Sequence, residues 1–436
     1  MQRLPRVAFP LLVAVAIGST TSAQQRPMFF SDAEHLASLS APGFEAKPDI
    51  SDDRLTLLFA SDQGNAAGDL DLFMTQRASL DAPFGLQMRV NELNYPDRRD
   101  HTPTTSGDGL LIVYSSERPG TGTDDAWTST RPDVNSPWDP PTEITQLNSP
   151  LRDMGFSMTP DGLCLYMSSN RGGGKGNFDL YMSTRPDRSA PWSDPVPIPE
   201  LNTPFDDKFP SVAGDNLTIY FASDRPGSLT NPAGGQVGDL WCAMRSSVDE
   251  PWQVVENVFE LNTNQVDYLM SVSNDHQEMF FVSDRPGGFG SLDLYRTEAI
   301  PGVTRYGTGT PGFADVPRVR PIGGEPTLGN LGWGMEITNV SPDADGFFMT
   351  NIVTGPGPIL VGLGNRFVMR RFQRATGSNP PAEVPRQIRY AIRNDPAFIG
   401  VTIYGQVLMR GDVFGLGSFN GARAAFSPGI SWTVMP

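Results

Sequence analysis

The chain has 436 residues and a formal net charge of −16, with 33 Lys and Arg against 49 Asp and Glu. This acidic balance argues against nucleic acid and anionic membranes as partners. The two cysteines have no metal-binding or redox spacing. The 45 Gly and 40 Pro suit a protein of short strands and many turns.

Residues 1–23 are typical of a secretory signal peptide. Arg3 and Arg6 form a charged region, followed by an apolar run at 11–17 and small residues at 21–23. The apolar run is too short to span a bilayer, and no later segment is long enough. We therefore expect an exported protein, periplasmic or extracellular, without a transmembrane segment.

A phrase recurs five times between residues 55 and 296: an apolar strand, a turn that reads Ser-acid-Arg-Pro-Gly in three of the five copies, and an Asp that begins the next strand. The strand-leading aspartates are spaced by 54, 54, 60 and 54 residues and are Asp71, Asp125, Asp179, Asp239 and Asp293. A fixed period near this length, with several short strands in each unit, is typical of a β-propeller.

The third copy shows how one unit is built. Asp161-Gly162 forms a hairpin turn before the apolar strand 163–167, and the strands 179–183 and 196–198 follow. Four short strands joined by tight turns make one propeller blade.

The two ends of the repeat region predict how the ring closes. Residues 28–39 occupy the fourth-strand position of a blade that lacks its first three strands, whereas the fifth copy stops after its third strand at Leu294-Tyr295. We expect the N-terminal segment to fill that vacancy, since closure leaves fewer unpaired strand edges. The predicted fold class is all-β, with a five-bladed propeller over residues 24–300 closed by an N-terminal strand.

The Ser-Asp-Arg-Pro-Gly turn, the Asp-Gly hairpin and the Asp-Leu-Tyr strand resemble the WD40-like (PD40) repeats of TolB-type β-propellers, over about residues 28–300. The resemblance implies a periplasmic or extracellular scaffold that binds other molecules. Residues 301–436 lack the phrase, and their short strands predict a small β-sandwich. Segments 306–309, 326–329 and 400–406 resemble the C-terminal β-modules of secreted planctomycete-type proteins, and surface attachment is one interpretation.

A second set of acids stands eight residues before the hairpin acid of each copy: Glu45, Asp100, Asp153, Asp207 and Asp267. This position begins the innermost strand, which lines the central channel of a propeller. Five carboxylates around one axis would suit Ca²⁺, the one cofactor considered, or a cationic group of a ligand.

The alternative is that these acids form structural ion pairs. The turns place an arginine at the same end of four blades, at Arg118, Arg171, Arg225 and Arg285. Blade one has Gln63 instead, so Glu45 is the acid least neutralised within its own blade.

Other repeated residues have simpler interpretations. The strand-leading aspartates are expected to accept backbone N–H bonds in turns. Trp138, Trp192 and Trp252 are expected to pack between blades, with sugar stacking as the alternative. His101 and His276 stand isolated in the sequence and suggest no catalytic triad.

Two functions from different classes fit this pattern. The first is a monomeric, non-catalytic exported scaffold that binds a protein or polysaccharide partner, since uniform repeats give no blade a distinct catalytic set. The second is a five-bladed glycoside hydrolase using two axial carboxylates roughly 5–9.5 Å apart. A structural surface protein attached through its C-terminal module is a third interpretation.

Overall fold

The computed structural model describes residues 28–66, 68–229 and 238–306, and beyond them residues 326–327 and strand segments between 318 and 433. The described regular structure consists of β-strands, which confirms the all-β prediction. The predicted signal peptide lies outside the described residues. Across the described segments, no helix is long and apolar enough to cross a membrane.

Four blades are antiparallel four-stranded sheets whose strands pair in chain order. They follow two short N-terminal strands, β1 (Met28–Phe30) and β2 (Glu34–His35). Blade 1 contains β3 (Glu45–Ile50), β4 (Thr56–Ser61), β5 (Asp71–Gln76) and β6 (Met88–Arg89). Blade 2 contains β7 (Asp100–Thr105), β8 (Leu111–Ser116), β9 (Asp125–Thr130) and β10 (Thr142–Glu143).

The next two blades repeat this arrangement. Blade 3 contains β11 (Asp153–Met158), β12 (Cys164–Ser169), β13 (Asp179–Thr184) and β14 (Val196–Pro197). Blade 4 contains β15 (Asp207–Val212), β16 (Thr218–Ser223), β17 (Asp239–Met244) and β18 (Gln253–Asn257). In every blade the first strand is innermost and begins with one of the five predicted acids.

Blade 5 is completed by the N-terminal segment, as predicted. Its own strands are β19 (Asp267–Val272), β20 (Glu278–Ser283) and β21 (Asp293–Tyr306). Strand β2 pairs antiparallel with β21, with Glu34 opposite Arg296, and β1 pairs further along the same strand. The ring therefore closes with five blades.

A belt of side chains near the axis joins each innermost strand to the next blade. At the fifth position of these strands, four blades have Ser or Thr and blade 1 has Asp49. Each accepts a hydrogen bond from a backbone N–H of the next blade: Thr104 from Met158 (3.1 Å), Ser157 from Val212 (2.9 Å), Ser211 from Val272 (2.9 Å), Ser271 from Ile50 (3.2 Å) and Asp49 from Thr105 (3.0 Å). These five hydrogen bonds, called the hydroxyl belt, run around the whole ring, and the bond between Ser271 and Ile50 joins blade 5 to blade 1.

The tryptophans are buried, as predicted. Trp138, Trp192 and Trp252 are 7%, 6% and 4% exposed. Each lies under an arginine guanidinium of its own blade, at 4.2, 4.2 and 4.3 Å from the ring centroid for Arg131, Arg185 and Arg245. The ring of Trp252 in blade 4 also contacts Tyr166 in blade 3. Their place in the core argues against the sugar-stacking alternative.

The last strand of blade 5 continues past residue 300. The C-terminal part of β21 pairs with β29 (Gly429–Thr433). The other strands are β22 (Arg318–Ile322), β23 (Gly334–Thr338), β24 (Asp345–Ile352), β25 (Phe367–Phe372), β26 (Arg386–Arg389), β27 (Thr402–Gly411) and β28 (Arg423–Phe426). They pair antiparallel in two groups, β21-β29-β27-β24-β25 with β28 on β27, and β22-β23-β26.

Candidate functional site: the axial cavity

Four of the five predicted acids form buried ion pairs with the turn arginines. The pairs are Arg118–Asp100 at 2.7 Å, Arg171–Asp153 at 2.5 Å, Arg225–Asp207 at 2.6 Å and Arg285–Asp267 at 2.5 Å. All four aspartates are 0% exposed. The structure therefore matches the ion-pair alternative for these residues.

Blade 4 shows how completely such a carboxylate is satisfied. One oxygen of Asp207 accepts hydrogen bonds from Arg225 Nη2 (2.6 Å) and Ser223 Oγ (2.6 Å). The other accepts from the backbone N (2.5 Å) and the Oγ1 (2.7 Å) of Thr203. Four bonds fill the acceptor sites of a carboxylate, so Asp207 fastens the turn before its strand.

Glu45 is the exception, as predicted, because blade 1 has Gln63 where the other blades have the turn arginine. Its Oε1 accepts hydrogen bonds from the backbone N of Ala41 (3.1 Å) and from Ser61 Oγ (3.1 Å). Its Oε2 is buried and has no hydrogen-bond partner among the described residues. Burial raises the pKa of Glu45 to about 8, against the opposing hydrogen bonds.

The five acids do not fit a shared calcium site. Over the described part of the chain, no three His, Cys, Asp or Glu side chains come close enough together to hold a metal ion. Each acid is fully buried within its own blade. A hard cation needs several oxygen ligands around one point, which the five separated carboxylates do not provide.

The residues directly before and after each acid in the sequence face the axis instead, because side chains alternate along a strand. They line a cavity of about 530 Å³ at the acid-bearing end of the ring, the axial cavity. The preceding positions are Phe44, Arg99, Arg152, Asp206 and Val266, and the following ones are Ala46, His101, Met154, Lys208 and Tyr268. All of them except Asp206 line the cavity.

A β-bulge forms the floor of the axial cavity. In blades 2, 4 and 5 the third residue of the innermost strand has positive φ, at Thr102 (51°), Phe209 (56°) and Leu269 (54°). The ladder register shifts at these points, and all three residues line the cavity. Left-handed backbone is costly for bulky residues, so the innermost strands bear strain where their side chains are aimed at the axis.

The wall of the axial cavity combines cationic and apolar side chains. Blades 2, 3 and 4 contribute Arg99, Arg152 and Lys208. Blades 1 and 5 contribute apolar residues, and the Tyr268 ring of blade 5 stacks on Phe209 of blade 4 with centroids 5.6 Å apart. The residue types therefore repeat from blade to blade at the structural positions, and they differ between blades at the positions that line the cavity.

Each cation of the wall has a carboxylate partner. Buried Asp124 accepts from His101 Nε2 (2.8 Å) and Arg152 Nε (2.5 Å). Burial would raise the pKa of Asp124, but the hydrogen bonds and charges of His101 and Arg152 lower it to about 2. Lys208 Nζ lies 2.9 Å from Asp206, and Arg99 Nη1 lies 3.5 Å from Glu117.

The two histidines are not isolated, contrary to the sequence prediction. His101 pairs with Asp124, and His276 Nε2 lies 3.1 Å from Asp215 Oδ2. Both partners come from other loops and are distant along the chain. The sequence did not predict the residues that line the cavity, because they differ from blade to blade and the repeat does not mark them. The available signal was the variation at the positions flanking each acid.

The comparisons with known proteins give structural similarities only. No family model matches the chain, and no curated protein matches it. TolB from Acinetobacter baumannii is 12% identical, with 60% of this chain and 56% of that chain covered and a TM-score of 0.38. An α-L-arabinofuranosidase from Lactobacillus brevis is 12% identical, with coverage of 58% and 90% and a TM-score of 0.40. A Trypanosoma rangeli sialidase is 10% identical, with coverage of 95% and 97% and a TM-score of 0.39.

Proposed function

We propose that the chain is an exported, non-catalytic binding scaffold whose axial cavity receives a group of a protein or glycan partner. The observation that carries this proposal is the break in the repeat at the positions flanking the five acids. Structural positions hold the same residue types from blade to blade, whereas the lining positions hold Arg99, Met154, Lys208 and Tyr268. Different side chains on equivalent strands are what selective recognition requires, and fold alone does not supply it.

The dimensions and composition of the axial cavity support the proposal. Ligand sites are commonly concave spaces of about 300–1,000 Å³ with apolar walls and a few polar groups. At about 530 Å³, this cavity has that size, and it combines aromatic and charged side chains. Because its floor is closed, the cavity suits a compact group better than a polymer chain that passes through the ring.

The alternative function, a glycoside hydrolase, has one observation in its favour. A carboxyl whose pKa is raised to about 8, as for Glu45, would suit a proton donor. Glu45 is fully buried, however, and its neighbours Phe44 and Ala46 line the cavity instead. Among the described lining residues Asp224 is the single carboxyl, whereas glycoside hydrolysis uses two.

Blocking the mouth of the cavity tests the binding proposal. Val266→Trp places an indole at the mouth and should abolish binding to whichever glycans or proteins the wild type captures on arrays. Val248→Trp is the matched control, since Val248 is 53% exposed on a loop at the opposite end of a blade. Equal binding by wild type and Val266→Trp would rule out the axial cavity as the site.

A panel of chromogenic glycosides separates the two functions. The scaffold proposal predicts no turnover by the wild type. Hydrolysis that Glu45→Gln abolishes would establish the hydrolase instead. We further propose, from the signal peptide and the TolB-type resemblance, that the scaffold acts in the periplasm or outside the cell, with the planctomycete-like module at 301–436 serving attachment.

A further inference from the structure

The cations of the axial cavity stand in front of the carboxylates that neutralise them. Arg99, Arg152 and Lys208 line the cavity, whereas their respective partners Glu117, Asp124 and Asp206 do not. Of the described acids, Asp224 alone lines the cavity. A ligand that enters therefore meets three cations and one carboxylate, which favours an anionic group.

The two guanidinium groups have hydrogen-bond donors to spare. Arg152 binds Asp124 through Nε, and within the described structure its terminal nitrogens donate no hydrogen bond. Arg99 makes one long contact with Glu117 through Nη1 (3.5 Å). Its Nε is buried without a hydrogen-bond partner among the described residues. Planar guanidinium groups match the geometry of a carboxylate, which can accept two parallel bonds.

An aromatic pair beside the cations suits the body of a compact ring. Phe209 and Tyr268 stack with an interplanar angle of 19°, and Val266 lies at the mouth above them. Asp224, which also lines the cavity, is suited to accept hydrogen bonds from hydroxyl groups. The floor is closed where Lys47, the third residue of the innermost strand of blade 1, is buried and donates through Nζ across the ring to the carbonyl oxygen of Phe156 in blade 3.

We propose that the axial cavity binds the carboxylate of a uronic acid residue of an acidic glycan. The carboxylate lies against Arg99, Arg152 and Lys208, and the sugar ring packs on the Phe209–Tyr268 stack. The closed floor accommodates a compact terminal residue better than an extended peptide. This assignment rests on the proposed scaffold function and names the ligand class of the same cavity.

Isothermal titration calorimetry of the full chain without its signal peptide tests the assignment. The probes are trisaccharides of galacturonate and of glucuronate, each beside its carboxyl-reduced neutral form. We expect at least one acidic form to bind about tenfold or more tightly than its neutral form, as for a charge-assisted hydrogen bond. Arg99→Gln and Lys208→Met should each weaken that binding about tenfold.

Arg188→Gln is the matched control and should leave binding unchanged. Arg188 is a similarly exposed arginine, paired with Asp108 at 2.6 Å, at the hairpin end of the blades. Equal affinity for acidic and neutral forms would overturn the uronate assignment, while loss of both in Val266→Trp would leave the scaffold function standing. Binding of none of the trisaccharides, whether or not a peptide with a free C-terminal carboxylate binds in a parallel titration, would also overturn it.

Discussion

Glu45 differs from its four counterparts because it is a buried acid without a countercharge. Asp100, Asp153, Asp207 and Asp267 have an arginine within 2.7 Å. Blade 1 has no arginine at this position, and burial raises the pKa of Glu45 to about 8. The folded protein thus holds a neutral carboxyl at pH values where the unfolded chain ionises it.

Replacing Glu45 by Gln should stabilise the protein near pH 7. The pKa of this group rises from 4.5 to about 8 on folding. Its contribution to stability is fully present below pH 4.5 and is lost as the pH rises towards 8. Gln does not titrate, so Glu45→Gln should gain roughly 1–3 kcal/mol at pH 7 and almost nothing at pH 4. Urea unfolding at a series of pH values measures the difference.

Two comparisons complete that experiment. Glu92→Gln, at an exposed glutamate, should leave stability unchanged at pH 7. Asp267→Asn should have the opposite sign, because it leaves the partly buried guanidinium of Arg285 without its carboxylate partner, at a cost of about 1–3 kcal/mol. Destabilisation of the protein by Glu45→Gln at pH 7 would contradict the neutral-acid assignment.

The innermost strands act as elements with two separate tasks. At the first position of these strands in blades 2 to 5, the ion pairs fasten the turn before the strand, and at the fifth position the hydroxyl belt joins neighbouring blades. At the positions between, the bulge turns side chains such as Phe209 across the axis. In blade 3 the bulge residue is Gly155, where a Cβ would lie 2.8 Å from Phe209 and 2.9 Å from Ser168. Blade 3 therefore leaves room for the aromatic floor supplied by blade 4.

Ser211→Ala tests the hydroxyl belt. The substitution leaves the buried N–H of Val272 in the next blade without its acceptor, which should cost about 1–3 kcal/mol of unfolding free energy. Ser211→Thr retains the hydroxyl, and the exposed Ser189→Ala removes one that bonds only within its own turn. Urea unfolding should rank Ser211→Ala as the least stable variant, and equal stability of Ser211→Ala and Ser189→Ala would refute the role of the belt.

The sequence predicted those elements whose residues repeat, because a repeated turn or strand reports its own local structure. The spacing of the repeat alone predicts the five blades, the closing strand and the Arg–Asp pairs. The spacing did not predict the axial cavity, because the lining of that cavity depends on the alternation of side chains along the strands and on a bulge that no residue type marks. The His101–Asp124 pair was equally hidden, since Asp124 lies in a loop beside the strand-leading Asp125.

At the scale of the whole molecule, every statement about the axial cavity depends on ring closure. The strands that close blade 5 come from opposite ends of the repeat region, with β2 beside β21. Five innermost strands then surround one axis and bring residues of all five blades to the same cavity. Closure also satisfies the outer edge of β21, which would otherwise remain an exposed strand edge.

A disulfide across the closing strands is the most direct measurement of that arrangement. Glu34 and Arg296 are directly opposed in the antiparallel pair, at a separation that suits a disulfide. Glu34→Cys combined with Arg296→Cys should cross-link within one chain on mild oxidation, as seen by peptide mass spectrometry. Glu34→Cys with Arg89→Cys, which places the second thiol on blade 1, should not. Intermolecular disulfides alone, or cross-linking to position 89 instead of 296, would contradict the five-bladed ring.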